Sequence, residues 1–191
     1  MRRRTGLLGV VLLLAGLTFV RPLGASQNPW AKLYRPLHLS RLAPGAACPV
    51  SPVDRRIDWP RINIFGSSGI GRGPVYPGLG GLGGHFDARP DDQFGGPWAG
   101  GKVFWYVRPS YRGRVLIRGR RLDGPQSLGF NGHAVPNREL RIHNYSVSWP
   151  VQPPGSRGLP SSVRVRSSGC YAVQIDGATF SRIVVFSVTA P

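Results

Sequence analysis

From residue 102 to the C-terminus, apolar and polar positions alternate with a period of two. Leu140 and Ile142 alternate with Arg141 and His143, and Val163 and Val165 with Arg164 and Arg166. Tyr171, Val173 and Ile175 alternate with Ala172, Gln174 and Asp176. Successive side chains of a strand point to opposite faces, so each run presents one apolar and one polar face. Denser β-branched and aromatic runs cover 102–107, 114–118 and 180–188, and a weaker one lies at 126–130. Short strands punctuated by turn residues predict an all-β fold, an antiparallel β-sandwich. No sustained helical period occurs after residue 25. The strand arginines fall opposite the valines and leucines and are expected to face water. The run from Ile175 to Phe180 reads as a hairpin turn joining the last two strands, because its Asp176-Gly177 pair tolerates the positive φ of a tight turn.

The stretch 26–101 has a different texture, rich in Gly and Pro and with little periodicity. Residues 56–65 read as one strand, placed at an edge because Pro60 lacks an amide hydrogen. Residues 66–84 carry too many glycines for a helix or a central strand and read as a loop. The expected plan is a leader at 1–25, a Gly/Pro-rich N-terminal extension at 26–101 and a sandwich core at 102–191.

The leader begins with Arg2-Arg3-Arg4, continues through an apolar run from Leu7 to Val20, and ends in the small residues Gly24-Ala25-Ser26. Basic segment, short apolar run and small-residue site form a secretory signal pattern, with cleavage expected after Ala25. The run is shorter than the roughly 20 residues that span a bilayer, so no permanent membrane span is expected. The protein is therefore expected to be secreted or held in the cell envelope, where thiols oxidise. Its two cysteines, Cys48 and Cys170, then read as one disulfide closing a long loop.

Charge narrows the partners. Without residues 1–25 the net charge of +17 falls by four arginines to +13 over 166 residues. Such a charge attracts anionic cell-wall polymer or polysaccharide. Among the 25 basic residues only Lys32 and Lys102 are lysine, and the arginines are scattered instead of clustered. With no recognised nucleic-acid motif, no specific nucleic acid is expected. The pattern carries no information on oligomeric state.

Gly169-Cys170-Tyr171 at the head of the penultimate strand resembles the tyrosine corner of immunoglobulin-like sandwiches. Further segments are similar to a group of uncharacterised exported bacterial proteins with an Ig-like β-sandwich. They are Cys48-Pro49-Val50, the run from Gly73 to Pro77, that from Lys102 to Tyr106, that from Tyr111 to Gly119, and that from Phe180 to Phe186. The resemblance runs from Cys48 to the end of the chain. It implies export and the Ig-like fold and carries no activity.

Candidate chemistry is sparse. Ser167-Ser168-Gly169-Cys170 is similar to the Ser-x-Gly-Cys of L,D-transpeptidases, whose thiol needs a histidine base such as His133 or His143. Tyr171-Ala172 follow where that family has an aliphatic residue and an arginine, and a second cysteine competes for the thiol. Gly78, Gly80 and Gly83 match a dinucleotide fingerprint literally but lack its strand and helix. His85, Asp87, Asp91 and Asp92 read as a solvated turn, without the spacing of a metal loop. No cofactor or metal is expected. Trp98, Tyr111 and Trp149 stand as ligand-binding candidates, because loop aromatics can stack on a sugar or peptide. The expected function is a non-enzymatic binding or structural module, with a cysteine-dependent cell-wall enzyme as the alternative.

Overall fold

The computed structural model describes residues 28–43, 45–62, 64, 66–79, 83–90, 96–145 and 153–191. Among the described residues ten strands form two curled sheets packed as a β-sandwich. They are β1 (Val75–Pro77), β2 (His85–Asp87), β3 (Arg89–Pro90), β4 (Ala99–Val107), β5 (Val115–Arg121), β6 (Gly129–Phe130), β7 (Glu139–Ile142), β8 (Arg157–Val165), β9 (Gly169–Gly177) and β10 (Phe180–Thr189). The first sheet runs β1-β4-β8-β6, with β3 also on β4, and the second runs β2-β10-β9-β5-β7. Every pairing is antiparallel except that of β2 with β10. Among the described residues no helix is long and apolar enough to cross a membrane.

The expected alternation supplies Leu140 and Ile142 of β7, Val163 and Val165 of β8, and Tyr171, Val173 and Ile175 of β9 to the central core, and the denser runs supply the rest. Val103, Trp105 and Val107 of β4 meet Val115 and Ile117 of β5, Tyr171, Val173 and Ile175 of β9, and Val184, Phe186 and Val188 of β10. Trp105 satisfies its indole nitrogen by donating to Ser161 Oγ at 2.8 Å, as a buried tryptophan requires. The neighbouring Tyr106 points the other way, into a second apolar cluster with Phe104, Tyr76, Trp59, Ile62 and Ile64.

That second cluster shows what residues 26–101 do. They contribute β1, β2, β3 and the start of β4, and they roof the outer faces of both sheets. Residues 53–64 cover the first sheet. Residues 30–43 and 45–50 form a strap over the second, where Leu39, Leu42 and Cys48 pack on Leu122, Cys170, Ala172 and Val185. Cys48 and Cys170 are joined by a disulfide with Cα atoms 5.4 Å apart. The bond pins the strap to β9.

Three local expectations are corrected. The segment 56–65 is not an edge strand: Trp59–Ile62 form one helical turn. Asp58 Oδ1 accepts from the Arg61 amide at 3.2 Å, and Pro60 occupies the first turn, where its missing hydrogen costs nothing. The hairpin between β9 and β10 forms, but its tip is Ala178-Thr179, since Gly177 pairs with Phe180. Asp176 is drawn into the strand by buried partners described below. Finally, several strand arginines lie under the roof instead of in water. Arg120 Nη2 donates to the Leu39 carbonyl. Arg164 is fully buried, with Nη1 donating to the carbonyls of Asn131 and His133. Irregular roofing segments leave carbonyls without ladder partners, and long arginines beneath supply the donors.

The glycine-rich stretch is also ordered where it is described. Ile70, Val75 and Tyr76 are buried within it. Gly73, at φ 53°, lies where an added Cβ would come 2.1 Å from the Tyr76 hydroxyl. Glycine is needed there for close approach as well as for its φ.

Candidate functional site

The outer face of β9 carries Cys170, Ala172, Gln174 and Asp176, the polar half of the alternation. Asp176 is fully buried. Its carboxylate accepts from Arg118 Nη2 at 2.9 Å, Ser181 Oγ at 2.7 Å, Gln174 Nε2 at 3.0 Å and Arg35 Nη1 at 3.4 Å. A buried charge survives only when paired and hydrogen-bonded, and here both conditions hold. Gln174 extends the network to the strap, donating to the Pro36 carbonyl at 3.0 Å and accepting from the His38 amide at 2.8 Å. The strap is thus held at one end by Asp176 and at the other by the disulfide.

Between these anchors the strap leaves a trough of about 760 Å³ on the second sheet. Gln174, Ser181 and Ile183 floor it; His38 and Ser51-Pro52 wall one side, and Arg56, Gly71, Arg72 and Arg182 complete the lining. Ser51 closes the edge of β10: its amide donates to the Val185 carbonyl at 2.9 Å, and its Oγ accepts from the Val185 amide at 3.0 Å. The trough continues across Pro52, Arg56, Gly71 and Arg72 into a second hollow of about 580 Å³ lined also by Asp54 and Arg55. Arg55, Arg56, Arg72 and Arg182 are all exposed. Ile183, 44% exposed, adds an apolar patch to the floor.

Asp54 is the carboxylate that borders this arginine group, and its charge is already answered. Arg56 grips it at two points, Nε to Oδ1 and Nη2 to Oδ2, each at 2.8 Å. The Arg56 amide adds a bond to Oδ1 at 3.1 Å, and the buried Tyr76 hydroxyl donates to Oδ2 at 2.8 Å. The Arg56 side-chain bonds hold the Asp54 carboxyl well below the usual carboxylate range, against the opposing effect of burial and with help from Tyr76. Burial, then the bond to Asp54, pushes the Tyr76 hydroxyl up to about 12. At neutral pH the trough and the adjoining hollow therefore carry the guanidinium groups of Arg55, Arg72 and Arg182 beside the paired charges of Arg56 and Asp54.

The candidates named from sequence lie elsewhere. Trp98 is 8% exposed, with Arg166 over its ring at 4.6 Å and Arg164 at 5.7 Å. Tyr111 is buried; its hydroxyl donates to the Arg114 carbonyl at 2.8 Å and accepts from the Ala178 amide at 2.9 Å. Trp149 lies outside the described residues, as do Asp91 and Asp92. The structure does not bring Trp98 and Tyr111 together. His85 is occupied on both ring nitrogens, by Ser187 Oγ at 2.9 Å and Thr189 Oγ1 at 3.1 Å. The sulfur of Cys170 is bonded to Cys48, and the Cys170 amide donates to both oxygens of Asp123 at 3.2 Å.

Sequence reasoning passed over Arg55, Arg56, Arg72, Arg182 and His38. They come from separate stretches of chain, and only the fold assembles them. A partial signal was there: Arg72 falls in the glycine-rich stretch read as a loop, where no strand alternation accounts for an arginine. No family model, no curated protein and no solved structure matches this chain.

Proposed function

We propose that this protein is an exported, non-enzymatic binding module of the cell envelope or secreted fraction, built on an Ig-like β-sandwich. It holds an anionic cell-wall polymer or polysaccharide along the arginine-walled trough. The observation that carries this reading is the convergence of Arg55, Arg56, Arg72 and Arg182 on one open trough whose bordering acid, Asp54, is saturated. A cleft lined by one sign of charge concentrates counter-charged ligands, and an open trough suits a chain better than a small molecule. The basic, apolar and small-residue leader supports export, and the disulfide fits an oxidising compartment. Support for the Ig-like subclass comes from Tyr171, whose hydroxyl donates to the carbonyl of Ser167, four residues upstream, at 2.9 Å. The bond between Cys170 and Cys48 favours binding over a cysteine-dependent reaction, which needs a free thiolate.

The test is binding of the purified protein to poly(glycerol phosphate) and to polygalacturonate. Reversing charge with Arg72→Glu and Arg182→Glu is expected to weaken binding to at least one polymer about tenfold or more. Arg138→Glu, outside the trough, serves as the control. Equal losses from control and trough variants would reduce the effect to net charge and remove the proposal.

A further inference from the structure

Arg56 differs from the other trough arginines in being fixed. Its Nε and one Nη2 hydrogen are committed to Asp54 in a fork at 2.8 Å on both arms. A guanidinium carries five N–H donors, so three remain, two on Nη1 and one on Nη2. One hydrogen from each of these nitrogens is parallel to the other and makes a second fork on the adjacent edge. The side chain is 75% exposed and borders both hollows, so its remaining donors are accessible to a ligand. Behind it the support is rigid: Tyr76 is fully buried and donates to Asp54, and Trp59 Nε1 donates to the Asp54 carbonyl at 2.9 Å. Aromatic contacts of Trp59 with Tyr76 and Tyr106, at 5.2 and 5.8 Å, lock that base to the first sheet.

We infer that Arg56 is the specificity-determining residue of the trough and reads an oxyanion with two coplanar acceptor oxygens, bidentately, through its Nη1/Nη2 edge. Asp54 and Tyr76 are positioning residues that hold the fork in place before the ligand arrives. A guanidinium already immobilised loses little further freedom on binding, which turns charge attraction into selection of shape. Phosphodiester and carboxylate groups both present such an oxygen pair, so the two polymers are the two arms of the test. This inference rests on the trough being the anion site.

The experiment is titration calorimetry of the folded protein against poly(glycerol phosphate) and polygalacturonate over a salt series. Arg56→Lys keeps the charge and removes the fork; it is expected to weaken the preferred polymer about tenfold while the salt slope stays unchanged. Arg72→Lys, at an arginine the structure does not fork, is expected to change affinity by less than about twofold. Asp54→Asn separates positioning from charge. Removing a negative group beside the trough tightens binding if only charge matters, and weakens it if Asp54 aims Arg56. Should Asp54→Asn fail to fold, Tyr76→Phe keeps the buried ring and every charge: weaker binding supports the positioning role, and wild-type affinity overturns it. Wild-type affinity in Arg56→Lys overturns the inference, and with losses in the charge-reversed variants it leaves the trough standing. Tighter binding in Asp54→Asn overturns the positioning role. Failure of the wild-type protein to bind either polymer overturns both readings.

Discussion

Arg118 on β5 donates through Nη2 to Oδ2 of Asp176 on β9 at 2.9 Å, and the same nitrogen donates to the Arg35 carbonyl of the strap at 2.5 Å. One guanidinium group thereby joins two strands of the second sheet to the segment that roofs them. The pairing explains why Asp176-Gly177 is strand and not turn. It also explains why a polar strand face is compatible with burial, since Gln174 and Asp176 both find partners in the strap.

Removing Asp176 is expected to cost much more than a surface ion pair. Its carboxylate is fully buried, so Asp176→Ala leaves Arg118 and Gln174 facing a gap, a situation worth about 3 kcal/mol or more. Urea denaturation measures the loss. Hydrogen exchange adds a local readout: the His38 amide, bonded to Gln174, is expected to lose protection. An Asp176→Ala protein within about 0.5 kcal/mol of wild type would mean that the network is not structural.

The disulfide anchors the other end of the strap across a sequence separation of 122 residues. In the loop-entropy picture, opening a loop of that length with Cys48→Ala and Cys170→Ala costs about 4–5 kcal/mol. Because the two anchors hold one strap, adding Asp176→Ala is expected to cost less than the sum of the separate losses. Chemical denaturation of the variants tests this, and strictly additive losses would show that the anchors act on independent elements.

The sandwich was legible in the sequence because period two is imposed by burial on one face, and the inner sets of β7, β8 and β9 are those that the alternation names. The roof was not legible. Its residues pack individually on a finished surface, as Leu39 and Leu42 do on Ala172, and such packing imposes no period. The segment 56–65 failed for a related reason: Pro60 disfavours both a strand interior and a helix interior, and only its place after Asp58 shows that it opens a turn. The disulfide was readable from cysteine count and leader. The trough was not, since Arg56, Arg72 and Arg182 come from three separate stretches of chain that meet only in the folded protein.

Stability is expected to fall on both sides of a neutral plateau, through two adjacent groups. Asp54 titrates below its ordinary value in the fold, so its contribution is complete above about pH 4 and is lost as pH falls further. Tyr76 is held neutral up to about 12. Its contribution is complete below about pH 10, the ordinary tyrosine value, and is lost as pH rises toward the folded value. Urea midpoints measured across this range check both limbs. Asp54→Asn is expected to flatten the acid limb, and Tyr76→Phe the alkaline one. An acid limb of undiminished steepness in Asp54→Asn would assign the titration to another carboxylate.

Tyr111 and Trp98 are expected to carry stability and not affinity. The Tyr111 hydroxyl bonds both the Arg114 carbonyl and the Ala178 amide, tying the turn before β5 to the β9–β10 hairpin, and its ring packs edge-on against Phe180 at 4.9 Å. Tyr111→Phe keeps the ring and strands the Ala178 amide, for a loss of about 1–2 kcal/mol. Trp98→Ala removes a ring covered by Arg166, with a loss of about 3 kcal/mol expected for a large buried aromatic. Polymer binding by both variants is expected to equal that of wild type, because neither residue borders the trough. Thermal melts paired with the calorimetric titration separate the two roles. A variant that keeps its melting temperature and loses the polymer would move the binding site away from the trough, to the end of the sandwich where that residue lies.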